Sequence, residues 1–162
     1  MLTILSAKRI PPRIYNSRHT GAQLRGIRYQ RALGKMLIKS LKNTTITLEP
    51  WYEYKTLTPS GAVERKVCAP DFLIEKSGEV IVIEAKLTFV YNAIYKLLNL
   101  YMPVVVSAHN QDFIHVAPLI ITRTLTPSAP KTIHKFSQTF DSLDPYSVPV
   151  LQWLDKYSLL EW

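Results

Sequence analysis

Residues 70–86 read Pro-Asp-Phe-Leu-Ile-Glu-Lys-Ser-Gly-Glu-Val-Ile-Val-Ile-Glu-Ala-Lys, and no other stretch constrains the fold of this chain as strongly. Apolar runs on both sides of Ser77-Gly78 predict a β-hairpin closed by a two-residue loop. With that loop, Lys76 faces Glu79, Ile74 faces Ile81 and Asp71 faces Glu84. Directly opposed residues of an antiparallel pair have Cβ atoms about 4.5–5.5 Å apart, where like charges repel. A hard cation with carboxylate ligands removes that penalty. Lys86 lies two residues beyond Glu84, so the period of two places it on the same face. The reading depends on register, because a slip of one residue would reverse every side chain.

An ordinary structural explanation makes Asp71 a strand-start residue and Glu84 with Lys86 a surface ion pair. The flanks argue against it. Phe72, Ile74, Ile81, Ile83 and Ala85 fill one face of the hairpin, and Leu73, Val80 and Val82 the other. Strands apolar on both faces are buried on both faces. Charges carried at their ends are then not casual solvent decoration.

The chain has 162 residues and 47% hydrophobic content, enough for one globular domain with a real core. It contains no apolar run of the ~18 residues that a membrane span needs and no signal-peptide pattern, so an intracellular, cytoplasmic setting is expected. The single cysteine, Cys68, leaves no intrachain disulfide and reads as a small core residue beside the hairpin. His19, His109, His115 and His134 are scattered and suggest no zinc site. The net charge of +8 is uneven: residues 1–48 hold ten Lys or Arg and no acid, whereas the remainder holds ten basic and twelve acidic residues. A concentrated basic segment is the electrostatic footprint of a polyanion partner.

Residues 1–20 read as a basic arm with a short strand at its start, and Arg9, Arg13 and Arg18 extend the basic surface. Helical periodicity over 22–42 places Arg28, Arg31, Lys35, Lys39 and Lys42 on one side, and Ile27, Leu33, Gly34, Leu37, Ile38 and Leu41 on the other. Gln30 falls near the middle of the apolar stripe, so its amide points inward and needs partners. Residues 44–57 predict a strand, with Trp51, Tyr52 and Tyr54 packing in it. Pro59-Ser60-Gly61 is a turn. Residues 89–101 have helical spacing, ended by Pro103. Val104-Val105-Val106 is expected as a buried strand, Phe113–Thr122 as another, 123–149 as loop and 150–160 as a short closing helix. Helix, strand, hairpin, helix and strand in that order predict an α/β fold, a mixed central sheet flanked by helices.

Pro70-Asp71, twelve residues, then Glu84-Ala85-Lys86, set between these helices and strands, resembles the PD-(D/E)XK nuclease superfamily over roughly residues 22–110. The resemblance implies a restriction-endonuclease-like core. It implies that Asp71, Glu84 and the Ala85 carbonyl bind Mg²⁺ or Mn²⁺, and that Lys86 orients or activates the attacking water. A metal that lowers the pKa of bound water and stabilises developing charge suits phosphodiester hydrolysis. One position departs from the family's pattern. The first helix usually supplies a glutamate facing the metal, and Gln30 stands there instead. A glutamine can hydrogen-bond a metal-bound water but adds no charge; Glu49 or Glu53 on the next strand could compensate.

The resemblance thus implies a metal-dependent deoxyribonuclease acting on double-stranded or branched DNA, with Asp71, Glu84, Lys86 and Gln30 as its catalytic group. The small size and basic helix suit a structure-selective endonuclease or a phage-type enzyme; junction cutting needs paired active sites, which a homodimer would supply, and an exonuclease is the alternative within the superfamily. Arg28, Arg31, Lys35, Lys39, Lys42 and Lys96 are the expected backbone contacts. The reading from another class is a DNA-binding module on a nuclease core that has lost its chemistry.

Overall fold

The computed structural model describes residues 2–14, 19–109, 115–125 and 148–154. Arg18, His134, residues 113–114, residues 126–147 of the expected loop and residues 155–160 of the expected closing helix lie outside them.

The described residues form an α/β fold with two sheets. The larger has five strands in the order β2 (Thr45–Leu48), β5 (Phe72–Lys76), β6 (Glu79–Thr88), β7 (His115–Thr124), β8 (Val150–Gln152). β2, β5 and β6 pair antiparallel, and β6, β7 and β8 pair parallel. The central sheet is therefore mixed, as the sequence predicts. The smaller sheet has the order β1 (Ile4–Ile10), β3 (Trp51–Leu57), β4 (Val63–Cys68), antiparallel throughout.

The β5–β6 hairpin has the expected register: Lys76 faces Glu79, Ile74 faces Ile81, Phe72 faces Ile83. Ser77 (φ 48°) and Gly78 (φ 82°) both take positive φ, which matches a two-residue turn to the right-handed twist of the strands. Parallel pairing of β6 with β7 requires a crossover, and a helical run supplies it. That run comprises α2 (Tyr91–Lys96), a π turn (Leu97–Tyr101) and α3 (Met102–Ala108).

Helix α1 (Gly21–Ser40) begins at a capping box: Thr20 Oγ1 accepts from the Gln23 backbone N–H and the Gln23 side chain accepts from that of Thr20. It covers one face of the large sheet, where Tyr29, Leu33 and Leu37 pack against Phe72, Ile74, Ile81, Ile83, Leu119 and Ile121. Gly34 lets the helix approach closely, since a Cβ there would stand 3.1 Å from both Leu48 Cδ2 and Phe72 Cε1. The opposite face carries Leu73, Val80, Val82 and Ile120. It is covered by Ala93, Leu97, Tyr101, Val104 and Val105 of the crossover and by Tyr52 and Tyr54 of the small sheet.

Several expectations are corrected. The strand expected over 44–57 is two strands in different sheets. The break is at Glu49 (φ 46°) and Pro50, where a left-handed residue turns the chain and proline removes a ladder donor. Strand β4 follows the Pro59-Ser60-Gly61 turn and was not expected. Val104-Val105-Val106 is helical. The π turn carries the helix up to Pro103, which sits in the first turn of α3, where its missing N–H costs least. A short apolar run has no periodicity of its own to separate buried helix from buried strand. Val150–Gln152 is an edge strand rather than the start of a helix; Val150 and Leu151 are buried against β7. On α1, Ile38 is 56% exposed, whereas Tyr29 is buried and donates to the Trp153 carbonyl at 3.2 Å.

Candidate active site

Strand β6 alternates between the two sheet faces, so Glu84 follows Val80 and Val82 onto the face covered by the crossover helices, and Lys86 follows Glu84. Glu84 is 1% exposed. The hairpin ladder ends one step earlier, at Phe72 and Ile83. Beyond it Asp71 uses its side chain as the next acceptor: Oδ2 takes the Ala85 N–H at 2.7 Å, while its own carbonyl accepts from Glu49 N–H at 2.9 Å. An extended residue directs its N–H and C=O to the same edge of the strand. The Ala85 carbonyl therefore faces the same side as the N–H that Asp71 holds.

Two lysines approach Glu84. Lys86 Nζ donates to Oε1 at 2.5 Å, and Lys96 Nζ, from the last turn of α2, lies 3.6 Å from the same oxygen and 4.7 Å above the Tyr101 ring. Glu84 Oε2 is buried with no hydrogen-bond partner. An unpaired buried carboxylate oxygen is costly, and a position with this donor chemistry fits a hard divalent cation. Asp71 and the Ala85 carbonyl offer further oxygens there. Among the described residues, no three Asp, Glu, His or Cys side chains converge as one group.

The electrostatics reflect this crowding. Burial, then the Glu84 charge, raise Asp71 to about 7, against the opposing pull of Lys86, the Ala85 N–H and Lys96. Tyr101 is raised by burial and by the charges of Glu84 and Asp71, so its hydroxyl stays protonated. Burial raises the Cys68 thiol to about 12, with Lys96 opposing. Cys68 is a wall residue and no nucleophile. It lines an open cleft of about 360 Å³ with Glu49, Trp51, Val67, Ala69 and Asp71.

Asp71, Glu84, Ala85 and Lys86 are thus brought together as expected, and Lys96 joins them instead of standing apart as a surface contact. Gln30 is half-buried; its Nε2 donates to Glu49 Oε1 at 3.3 Å. Of the two acids that could compensate for Gln30, Glu49 lines the cleft beside Asp71. Glu53 lies in the small sheet near Lys8 (3.5 Å) and Arg65 (3.9 Å). Arg28, Arg31, Lys35, Lys39 and Lys42 are exposed on or just beyond α1, which covers the sheet face opposite Glu84 and Lys86. Arg9 joins the two sheets, donating to Thr47 Oγ1 at 2.7 Å and lying 3.7 Å from Glu75. Sequence reading missed Tyr101 and the cleft walls. Tyr101 had a signal, since Ala93, Leu97 and Tyr101 form one helical stripe. The walls meet only through β4.

No family and no curated protein matches the chain. Among solved structures it is similar to the small subunit of a heterodimeric restriction endonuclease, at 18% identity and a TM-score of 0.33. The match covers 60% of this chain and half the length of that subunit. No helix among the described residues is long and apolar enough to cross a membrane.

Proposed function

We propose that this chain is a metal-dependent nuclease that hydrolyses phosphodiester bonds in DNA, acting as a structure-selective endonuclease. The observation that carries the reading is Glu84: a fully buried carboxylate with an unpartnered Oε2, one ladder step from Asp71 and bonded to Lys86. A structural sheet has no use for this arrangement, and a phosphoryl-transfer site does. Asp71, Glu84 and the Ala85 carbonyl would hold Mg²⁺ or Mn²⁺. The ion when bound would lower the pKa of a water and offset charge on the phosphate. Lys86 is bonded to Glu84 and is 31% exposed, so solvent reaches part of its side chain. Its ammonium donates to the attacking water or to a phosphate oxygen. Lys96, 3.6 Å from Glu84 and over the Tyr101 ring, adds positive charge beside the acid pair.

Purified protein with Mn²⁺ or Mg²⁺ is expected to nick or degrade DNA in a panel of linear, nicked, forked and four-way substrates, and Asp71→Ala and Lys86→Ala should each abolish that cleavage. Cleavage that survives both substitutions overturns the assignment. A second reading, a DNA-binding module on a nuclease core, is favoured by one observation: the amide of Gln30 is committed to Glu49 and supplies no charge. Calorimetry separates the two, because that module binds DNA without binding Mn²⁺.

A further inference from the structure

We propose that the outer face of the small sheet β1–β3–β4 is a binding track for a nucleic-acid backbone leading away from the Asp71 cleft. The inference rests on the nuclease reading for its biological sense, though not for its test.

The register defines that face. Ser6 faces Lys55 and Lys55 faces Arg65, so a hydroxyl, an ammonium and a guanidinium cross the three strands in one row, at steps of about 4.8 Å. The next row is Lys8, Glu53 and Val67, and the next contains Ile10 and Trp51. The opposite face, with Tyr52, Tyr54 and Thr56, is buried. Three cations on the outer face meet one carboxylate, Glu53, which Lys8 and Arg65 share. Lys55 makes no ion pair among the described residues. A cleft of about 220 Å³ opens between Lys8, Lys55 and Arg65.

Lysines on edge strands commonly serve to block aggregation. Lys55 is not in an edge strand: β3 is the central strand, and Lys55 stands directly opposite Arg65. Directly opposed like charges repel across a sheet; Glu53 offsets Arg65 but is shared with Lys8, so an anion over the row would relieve the remaining repulsion. The face is also continuous with the candidate active site. Trp51 and Val67 belong to the outer face and line the Asp71 cleft at the same time. From Trp51 to Lys55 is four residues of strand, roughly 13 Å. That spans about four nucleotides at ~3.4 Å each along a duplex strand. The occupant is therefore a phosphodiester backbone flanking the scissile position.

The test is fluorescence anisotropy with a short labelled duplex and its single strand, in EDTA, across a salt series. Lys55→Ala/Arg65→Ala is expected to weaken binding roughly tenfold at low salt. The logarithmic salt slope should fall by about 0.9 per lost contact on the duplex, or about 0.7 on the single strand, and the probe whose affinity the substitutions weaken more is the occupant. Lys55→Arg/Arg65→Lys keeps the charges and should bind like the unmodified protein, so a folding defect is recognised. Lys35→Ala/Lys39→Ala on α1 is the comparison. Unchanged affinity and slope in Lys55→Ala/Arg65→Ala overturns the track, as does an unmodified protein that binds neither DNA. Sheet-dependent binding without any metal-dependent cleavage would leave the track standing and remove the nuclease reading. Cleavage and binding both indifferent to Lys55 and Arg65 would do the reverse.

Discussion

The two faces of the five-stranded sheet are built on different terms. Under α1 the contact is apolar: Tyr29, Leu33 and Leu37 meet Phe72, Ile74, Ile83 and Ile121, and the Tyr29 hydroxyl reaches a backbone carbonyl. On the other face the same strands carry Glu84, buried beside Asp71, with two lysines drawn toward it and one oxygen unpartnered. A chain that can make the first kind of face from these strands does not need the second for stability. Both faces pack apolar side chains, but only one also carries a buried acid pair with lysines drawn toward it, and substitutions in the acid–lysine group and in the apolar contact under α1 should separate accordingly.

The largest separation is in catalysis. Lys86→Ala is expected to slow Mn²⁺-dependent DNA cleavage by about 10³-fold, ~4 kcal/mol of barrier, at temperatures where the variant stays folded, and to lower the melting temperature only as far as Glu84 loses a partner. Plasmid nicking rates measured alongside thermal melts read both. Leu33→Ala on the other face should do the opposite. It removes a fully buried side chain and costs about 3 kcal/mol of stability, with the cleavage rate retained at temperatures where the protein stays folded. If Leu33→Ala lost activity at full folding, or Lys86→Ala unfolded the chain, the division between faces would be wrong.

The charged face was the more legible of the two. A two-residue turn with alternating flanks fixes register, and the register carries the ladder to Phe72 and Ile83, one step short of Asp71 and Glu84. The apolar face was read less well. Tyr29 lies beside Arg28 on α1, and periodicity favoured the aliphatic Ile38, which turned out exposed. The small sheet was hardest to see. β4 reads Val-Glu-Arg-Lys-Val-Cys, four exposed residues leading into its last two, so hydrophobic alternation has nothing to act on. β2 and β3 form one β-prone stretch whose division depends on Glu49 taking φ 46°, a conformation few sequence signals announce for glutamate. The cleft depends on both, so its walls could not be assembled from local patterns.

Metal and pH should sharpen the comparison next. An ion bound only by the folded state stabilises by about 2.7 kcal/mol at a hundred times its dissociation constant. Mn²⁺ should therefore raise the melting temperature of the unmodified protein and of Leu33→Ala, but not of Asp71→Asn. The sign with pH follows from Asp71, raised from 3.8 to about 7 by burial and by Glu84. Without metal the folded state keeps a proton that the unfolded chain releases. Stability from this group is thus greatest below about pH 4, falls as pH rises toward 7, and is level above it. Metal must displace that proton, so the Mn²⁺-induced gain should grow over the same window. Melts across pH with EDTA or Mn²⁺ check this, and Asp71→Asn should flatten both trends.

The smallest expected effect asks where the charged face ends. Glu49 lines the Asp71 cleft, gives its N–H to the Asp71 carbonyl and receives the Gln30 amide. Glu53 is four residues along the same chain but lies on the outer face of the small sheet beside Lys8 and Arg65. If the charge absent at Gln30 is supplied from the neighbouring turn, Glu49→Gln should slow cleavage roughly tenfold, the effect of losing an outer ligand-orienting group. Glu53→Gln should leave the rate within twofold, on the order of 0.4 kcal/mol. Gln30→Leu would then fall between them, because it leaves the Glu49 carboxylate in place but removes its donor. Rates for the three variants at fixed Mn²⁺ give the order directly. Equal rates for Glu49→Gln and Glu53→Gln would confine the charged face to the hairpin and α2, and make the Gln30–Glu49 bond a packing contact between helix and turn.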